Sequence, residues 1–366
     1  MNPQILTRKL VQFDTINPPG NEKDCCCYIG RILELGGFHV DYYEYAYGRR
    51  SLIARLTDKG GLPICFTGHL DTVPLGTKNW SKDPYQGELD GDRLYGRGSS
   101  DMKSGVAAMV LATLDYARQV GRENNVVLVL TAGEETGCEG AFYLSGLEGI
   151  LGDATSIIVG EPTANRPFLA HKGVFWLKAS VSGVTSHGSM PDLGVNAIYK
   201  AARIVADLES FQFSVDEHHQ LGYPTLNLGT IRGGENINSV PDKVTLEIDI
   251  RSTPNISHKE ILSKIQNLLG AEVEIGSIVD VEGFSTSSED PFYHKVSSAI
   301  EKVSGSSPIP SAAPYFTDGP ILQRAMGLPP MVILGPGEPS MAHQTDEYCS
   351  ISKIAQSYEI YREILD

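Results

Sequence analysis

The segment "NVVLVLTAG", residues 125–133, is apolar at every position from Val126 to Leu130. A strand with one face in water alternates apolar and polar residues, so a continuous apolar run indicates a strand buried on both faces. Comparable runs, "LPICFTG", "TSIIVGEP" and "PPMVILG", alternate with helical patterns such as "SGVAAMVLATLDYARQV". This alternation predicts an α/β fold, with a three-layer domain in which helices cover a mostly parallel sheet.

A second pattern begins after His171. Stretches with strand and helix patterns follow in the order βαββαβ, which is typical of a compact ferredoxin-like unit. They are "GVFWLKASVSG", "GVNAIYKAARIVADLESF", "PTLNLGTIRGG", "KVTLEIDIRS", "SHKEILSKIQNLLG" and "AEVEIGSIVDVEG". The α/β pattern resumes at the helix "PFYHKVSSAIEKVSG". We therefore predict one domain formed by residues 1–172 and 285–366, into which a second domain, residues 173–284, is inserted.

Composition excludes several classes of function. The chain has 30 basic and 45 acidic residues, a formal net charge of −15, which repels phosphate backbones and anionic lipids. We expect no nucleic-acid partner and no membrane partner, and no run approaches the ~18 apolar residues of a membrane span. The N-terminus lacks the pattern of a signal peptide. The six cysteines form no CxxC pair, which favours reduced thiols and a cytoplasmic location.

His69 and Asp71 follow an apolar strand in "TGHLDTVP". Alternate side chains of an extended segment share a face, so these two point the same way. A histidine and an aspartate in this arrangement suit a metal ligand and the group that orients it. A hydrogen-bonded structural histidine is the alternative that this segment alone leaves open.

Asp101 stands at the start of the long apolar helix, in the glycine-rich segment "YGRGSSDMKSG". The segment matches neither the GxGxxG nor the GxxxxGK[ST] pattern, so it does not indicate a nucleotide-binding loop. Taken alone, Asp101 is better explained as an acid that caps the helix N-terminus.

Four further candidates follow apolar strands: Glu134 and Glu135 in "TAGEETG", Glu161 in "VGEPT", and His343 in "LGPGEPSMAHQTDEY". In an open parallel sheet, ligands bind outside the carboxyl ends of the strands. One shared site therefore explains these positions better than separate structural roles. Two imidazoles with several carboxylates suit zinc or a similar divalent ion, and a carboxylate can bridge two such ions.

With these motifs the chain resembles the acetylornithine deacetylase, succinyl-diaminopimelate desuccinylase and carboxypeptidase G family of dinuclear zinc hydrolases. The matching stretches occur in order along nearly the whole chain: "GHLDTVP", "GRGSSDMKSG", "GEETG", "VGEPT", "SHGSMPDLGVNAI", "NSVPDKVTLEIDIR" and "GPGEPSMAHQTDEY". The resemblance implies two divalent metal ions per subunit, Zn²⁺ with Co²⁺ as a possible substitute. It also implies that the larger domain is the catalytic domain, and that the inserted domain is a dimerisation domain, so that the protein is a homodimer.

The resemblance further implies which residues hold the metal ions. His69 and Glu161 would bind one ion, Glu135 and His343 would bind the other, and Asp101 would bridge the two. A cis peptide bond is implied after Asp101.

The resemblance also implies roles in the reaction itself. Asp71 would orient His69, and Glu134 would be the general base that accepts a proton from the attacking water and returns it to the leaving amine. The other matching residues lie in the inserted domain. His187 would reach the partner subunit's site and stabilise the oxyanion, Arg251 would bind the substrate carboxylate, and Asn238 would contact the substrate. Taken singly, His187 and Arg251 are also what a surface loop and a strand end commonly carry.

The predicted function is metal-dependent hydrolysis of a small N-acyl amino acid, with deacetylation of N-acetyl-ornithine as the specific reaction. The C-terminal stretch resembles the acetylornithine deacetylase branch, whereas the run Phe316, Thr317, Asp318 and Gly319 only partly matches the Thr-Ser-Asp-Gly of the desuccinylases. Succinyl-diaminopimelate desuccinylation and a dipeptidase or carboxypeptidase activity stay open as alternatives. A non-catalytic binding protein and a dinuclear phosphatase fit less well, because the predicted ligands and base are all retained and no basic phosphate clamp accompanies them.

Overall fold

The computed structural model describes residues 1–366, which form two compact units. The first unit consists of Met1–Ala170, Ser285–Ala312 and Thr317–Asp366. The second unit consists of His171–Phe284 with the short segment Ala313–Phe316. The chain therefore leaves the first unit and later returns to it. The catalytic and dimerisation roles of the two units stay predictions.

The helices, in chain order, are α1 (Pro3–Val11), α2 (Lys23–Leu35), α3 (Ser104–Ala117), α4 (Glu139–Ser145), α5 (Ala197–Ser210), α6 (His258–Leu269), α7 (Pro291–Ser304), α8 (Gly319–Ala325) and α9 (Ile351–Leu365). The strands are β1 (His39–Ala46), β2 (Arg49–Leu56), β3 (Ile64–His69), β4 (Leu89–Asp90), β5 (Arg93–Tyr95), β6 (Val126–Thr131), β7 (Ser156–Val159), β8 (Phe168–His171), β9 (Gly173–Ser182), β10 (Thr225–Gly233), β11 (Lys243–Ser252), β12 (Glu274–Val281), β13 (Phe284–Ser285), β14 (Ser311–Ala313), β15 (Met331–Ile333) and β16 (Tyr348–Ser350). None of the helices is long and apolar enough to span a membrane.

A nine-stranded sheet forms the centre of the first unit, in the order β1-β2-β6-β3-β7-β15-β8-β13, with β14 beside β8. Its central strands β6, β3, β7 and β15 are parallel. They are buried along their whole length, as their continuous apolar sequences predict. Towards the edges the pairs β1–β2, β2–β6 and β15–β8 are antiparallel. The predicted α/β class is confirmed, and the sheet as a whole is mixed.

Helix α3 packs in the core of this unit, and residues on all of its sides are buried, including Val106, Met109 and Val110. Its first turn lies against the backbone that follows β7. A Cβ atom at Gly105 would lie 2.1 Å from the carbonyl oxygen of Gly160, so only glycine allows this approach. The close contact sets the segment before α3 beside the segment after β7.

The second unit contains a four-stranded antiparallel sheet in the order β10-β11-β9-β12. Helices α5 and α6 pack with one face of it, and their apolar residues join those of β9 and β11 in a single core. The chain order is βαββαβ, which confirms the ferredoxin-like fold predicted for the inserted segment.

Candidate metal centre

Four neighbouring parallel strands end at the same edge of the large sheet. His69 is the last residue of β3, Glu134 and Glu135 follow β6, Glu161 follows β7, and His343 lies in the loop after β15. Because the carboxyl ends of parallel strands meet at one edge, residues from distant parts of the chain come together there. Asp101 joins them from the irregular segment before α3, and the peptide bond that follows it is cis, as the resemblance implies.

The first group of possible metal ligands consists of His69, Asp101 and Glu161. One ligand atom from each lies within 4.8 Å of the others. Nε2 of His69 is 3.1 Å from Oδ1 of Asp101 and 3.7 Å from Oε1 of Glu161. His69 and Glu161 are both buried. The three atoms are close enough together to bind one divalent cation.

The second group consists of Asp101, Glu135 and His343, whose ligand atoms also lie within 4.8 Å of one another. Nε2 of His343 is 3.4 Å from Oδ2 of Asp101 and 3.0 Å from Oε2 of Glu135. Asp101 thus turns one carboxylate oxygen towards each histidine. A carboxylate shared in this way is the group that can bridge two metal ions.

The electrostatics of the site fit two bound cations. Burial, together with the charge of Asp101, raises the pKa of both Glu135 and Glu161 above the usual range. Oε1 of Glu135 is buried and has no hydrogen-bond partner in the protein. Buried carboxylates that face one another are costly unless a cation or a proton neutralises them. The donor set of imidazole nitrogens and carboxylate oxygens suits zinc and several other divalent ions.

Hydrogen bonds within the site shift the pKa values of His343 and Asp101 in opposite directions. Hydrogen bonds with Asp101 and Glu135 raise the pKa of His343 to about 10. Burial alone would raise the pKa of Asp101, but its hydrogen bonds with His343 and His69 outweigh burial and lower it. The histidine nitrogens and the Asp101 oxygens that form these hydrogen bonds are the atoms that would bind metal. Their contacts with one another therefore take the place of contacts with a metal ion.

Asp71 contacts His69 and also the segment that carries the two glutamates. Nδ1 of His69 lies 2.9 Å from the backbone carbonyl oxygen of Asp71 and 3.5 Å from its Oδ1, which leaves Nε2 to face Asp101. The Asp71 carboxylate accepts hydrogen bonds from the backbone amides of Glu134 and Glu135, each at 3.1 Å. The second set of contacts was not predicted from the sequence, and it shows that Asp71 positions three of the candidate residues.

The carboxylate of Asp71 has a further donor that the sequence did not reveal. Nδ2 of Asn17 donates to Oδ2 of Asp71 at 2.9 Å and to Oγ1 of Thr136 at 2.8 Å, and Asn17 is buried. The only local signal is the following "PPG", which indicates a rigid turn but no role in the site.

Glu134 differs from Glu135, although the two are adjacent. It belongs to neither group of ligand atoms and is buried. Burial, reinforced by the charges of Glu161, Glu135 and Asp318, raises the pKa of Glu134 well above its usual value. A raised carboxyl pKa is what a general base at this position needs, because it makes the carboxylate a better proton acceptor.

The remaining predicted residues lie in the second unit. His187 is exposed, and its Nδ1 is 2.7 Å from Oγ of Ser189. Nε of Arg251 is 2.9 Å from Oδ1 of Asp249, so its guanidinium group is engaged by a carboxylate of the same strand. Asn238 is exposed in the loop before β11. The roles of His187, Arg251 and Asn238 stay predictions.

The fold and the paired ligand groups define a class, the α/β metallohydrolases with two neighbouring metal positions. Comparison with known families is more specific, because the model of peptidase family M20/M25/M40 matches residues 65–366. The chain therefore belongs to this family of hydrolases, and it is an enzyme of the metal-dependent type that the sequence predicts.

Curated relatives support the same assignment over nearly the whole chain. The acetylornithine deacetylase of Photorhabdus laumondii is 32% identical over 343 residues, which cover 90% of this chain and 86% of that protein. The acetylornithine deacetylase of Vibrio cholerae is 31% identical over 366 residues, which cover 96% of this chain and 92% of that protein.

Solved structures share the fold. An M20 family metallo-carboxypeptidase from Sulfolobus solfataricus superimposes with a TM-score of 0.82 at 18% identity, covering 100% of this chain and 99% of that one. A dinuclear metal-binding peptidase of the M20 family from Bacillus subtilis gives a TM-score of 0.74 at 13% identity, covering 99% of this chain and 96% of that one.

Proposed function

We propose that this enzyme removes the acetyl group from N-acetyl-ornithine at a centre that holds two divalent ions, Zn²⁺ in both positions with Co²⁺ as a substitute. The observation that carries the metal centre is the carboxylate of Asp101, whose two oxygens face two separate groups of ligands. The choice of substrate is supported by the curated relatives, which are named acetylornithine deacetylases and match 90% or more of this chain in both cases given above.

His69 and Glu161 would hold one ion, Glu135 and His343 the other, and Asp101 would bridge them. Two ions bound there would lower the pKa of a water molecule and polarise the amide carbonyl of the substrate. The contact of His69 Nδ1 with the backbone carbonyl of Asp71 selects the tautomer in which Nε2 is free to bind metal.

Glu134 would act as the general base and then as the general acid. Its carboxylate accepts the proton of the attacking water and afterwards delivers it to the nitrogen of the leaving amine. The second transfer is necessary because an unprotonated amine is a poor leaving group. Burial raises the pKa of Glu134, which favours its taking up the proton of the water molecule.

Residues of the second unit would complete the site in a homodimer. His187 would enter the partner subunit's site and donate to the oxyanion, and Asn238 would contact the substrate. Arg251 would bind the substrate carboxylate through its planar pair of N–H donors. Since Asp249 already holds this guanidinium, a substrate carboxylate would replace or share that contact.

The site would work in the cytoplasm. All six cysteines are free, and most of them are buried, which suits a reducing compartment.

The decisive experiment is a substrate panel with the zinc- or cobalt-loaded protein. N-acetyl-ornithine, N-succinyl-diaminopimelate and several dipeptides are assayed for release of the free amine. We expect the highest kcat/KM for N-acetyl-ornithine. A preference for the succinyl substrate or for a dipeptide would select one of the two alternatives, and no hydrolysis of any N-acyl substrate would exclude the proposed activity.

A further inference from the structure

A buried carboxylate, that of Glu347, lies against the segment that carries Asp101. It accepts hydrogen bonds from the backbone amides of Gly98 at 3.0 Å, Ser100 at 2.8 Å and Asp101 at 3.0 Å. It also accepts a hydrogen bond from Nη1 of Arg97 at 2.7 Å. Both oxygens are used, and the side chain has no exposure to solvent. One carboxylate thus binds four donors from a segment of five residues.

The backbone of that segment explains why it needs an anion. Gly98 has a φ of +83°, and Asp101 and Met102 have non-helical dihedral angles. Amides in such an irregular turn have no carbonyl partners of the kind that a regular helix provides, and successive amides that converge form a pocket for negative charge. Glu347 supplies that charge from inside the protein, and so fixes the backbone on which Asp101 stands.

Glu347 also connects this segment to the loop that carries His343. Arg97 donates to the backbone carbonyl of Gln344 at 3.3 Å and to that of Pro74 at 3.0 Å. The amide of Gly96 donates to the carbonyl oxygen of Glu347 at 2.9 Å. Gln344 follows His343 directly. The Arg97–Glu347 pair therefore links the backbone of Asp101, the candidate bridging ligand, to the backbone next to His343, a candidate ligand of one metal position.

We propose that Glu347 is a positioning residue of the metal centre. It holds the carboxylate of Asp101 in the orientation that serves both metal positions, and through Arg97 it holds the loop of His343 at a fixed distance from Asp101. This inference rests on the proposed two-metal centre. Glu347 touches no metal ligand atom and acts only through the backbone that presents those atoms.

The inference predicts a specific pattern of metal binding. Glu347→Gln keeps the size of the side chain, but its amide group cannot accept two of the four hydrogen bonds. Because Asp101 serves both positions, we expect the affinity for both ions to fall by about 10- to 100-fold, as for other groups that orient metal ligands. Glu135→Gln, by contrast, removes a ligand of one position and should weaken that position alone.

Arg97→Lys provides a second test that keeps the buried positive charge beside Glu347. A lysine cannot reach Glu347 and two carbonyls in the planar geometry of a guanidinium group. We expect the position of His343 and Glu135 to weaken, while the position of His69 and Glu161 keeps its wild-type affinity. Val296→Ala is the matched control, since it removes a buried side chain of α7 and lowers stability without contact with the site.

The measurements are competition of Zn²⁺ binding with a chromophoric chelator, the visible absorption spectrum of the Co²⁺-loaded protein, and chemical unfolding of the metal-free protein. Glu347→Gln should change the Co²⁺ spectrum and both affinities, whereas Val296→Ala should change only unfolding. Wild-type affinities and an unchanged spectrum in Glu347→Gln would overturn the inference. If Glu347→Gln does not fold, wild-type affinities for both ions in Arg97→Lys would overturn it instead. A wild-type protein that binds fewer than two ions would overturn the metal centre itself, whereas two bound ions without hydrolysis would contradict only the proposed reaction.

Discussion

Oε2 of Glu135 lies 3.0 Å from Nε2 of His343, whereas the adjacent Glu134 is absent from both groups of ligand atoms. Both glutamates lie in the turn after β6, where the carboxylate of Glu135 faces a metal position and that of Glu134 is left available for the proposed proton transfer. The backbone amides of both glutamates donate to Asp71, which holds the pair in this relation.

Substitution should separate the roles of the two glutamates. Glu134→Gln should retain two metal ions and lower kcat by about 10²- to 10⁴-fold, because it removes only the proton acceptor. Glu135→Gln should lose one ion, because it removes a ligand. Metal content after dialysis and steady-state kinetics measure the two effects, and loss of an ion from Glu134→Gln would show that the assignments are reversed.

Removal of metal should destabilise the first unit. Burial and the charge of Asp101 raise the pKa of Glu135 and Glu161, so without cations the charged forms of these two side chains oppose folding. Zn²⁺ at a free concentration about 100 times its Kd should stabilise the protein by about 2.7 kcal/mol per site. Thermal unfolding with and without a chelator measures this. The same measurement on His69→Ala should show a smaller stabilisation by metal. An equal stabilisation would show that the metal binds elsewhere.

Asn17 should contribute to the site although it precedes the segment that matches the family. Asn17→Ala removes the hydrogen bond to Oδ2 of Asp71 and should lower the free energy of unfolding by about 1.5–3 kcal/mol, as for a bond to a charged group. It should also lower kcat, because Asp71 holds the amides of Glu134 and Glu135. Thr136→Val removes the other partner of Asn17 and is the control. Equal kcat values for both variants would show that the hydrogen bond from Asn17 to Asp71 is not the contact that supports catalysis.

His171 should make the protein less stable in mild acid. Burial lowers the pKa of His171 from 6.5 to about 4, so the folded state binds this proton less readily than the unfolded chain does. The stabilisation is therefore present above pH 6.5 and is lost as the pH falls towards 4, by about 2 kcal/mol between pH 7 and pH 5. Urea unfolding of the metal-free protein and of His171→Gln at the two pH values measures the difference. Between pH 7 and pH 5, the free energy of unfolding of the variant should fall by about 2 kcal/mol less than that of the wild type. Equal decreases in the two proteins would contradict the prediction.

Complementation tests whether His187 acts in the partner subunit's site. His187→Ala dimers and Glu134→Ala dimers should each be inactive. After subunit exchange, a mixed dimer has one site that contains both wild-type residues, so activity should reappear. Size-exclusion chromatography with light scattering establishes the dimer first. Mixed dimers without any recovery would show that His187 does not act across subunits.

Local sequence patterns are sufficient for much of the fold. The buried strands β3, β6 and β7 and the helix α3 carry mostly apolar patterns, because burial on all sides disfavours polar residues. Edge strand β1, "HVDYYEYA", is half-buried and mixed in polarity, so no pattern marked it as a strand. Helices α4 and α8 have seven residues each, which is too short for a clear helical period.

For the site, the sequence by itself determined which residues follow the parallel strands and so meet at one edge of the sheet: His69, Glu134, Glu135, Glu161 and His343. Only the tertiary structure decided how they are oriented. It turned the two oxygens of Asp101 towards different histidines, placed the amides of the glutamates on Asp71, and brought Glu347 beneath the backbone of Asp101. The physical reason is that strand burial depends on the local pattern of apolar residues, whereas these hydrogen bonds join residues far apart in the chain through irregular loops, whose conformation no local pattern encodes.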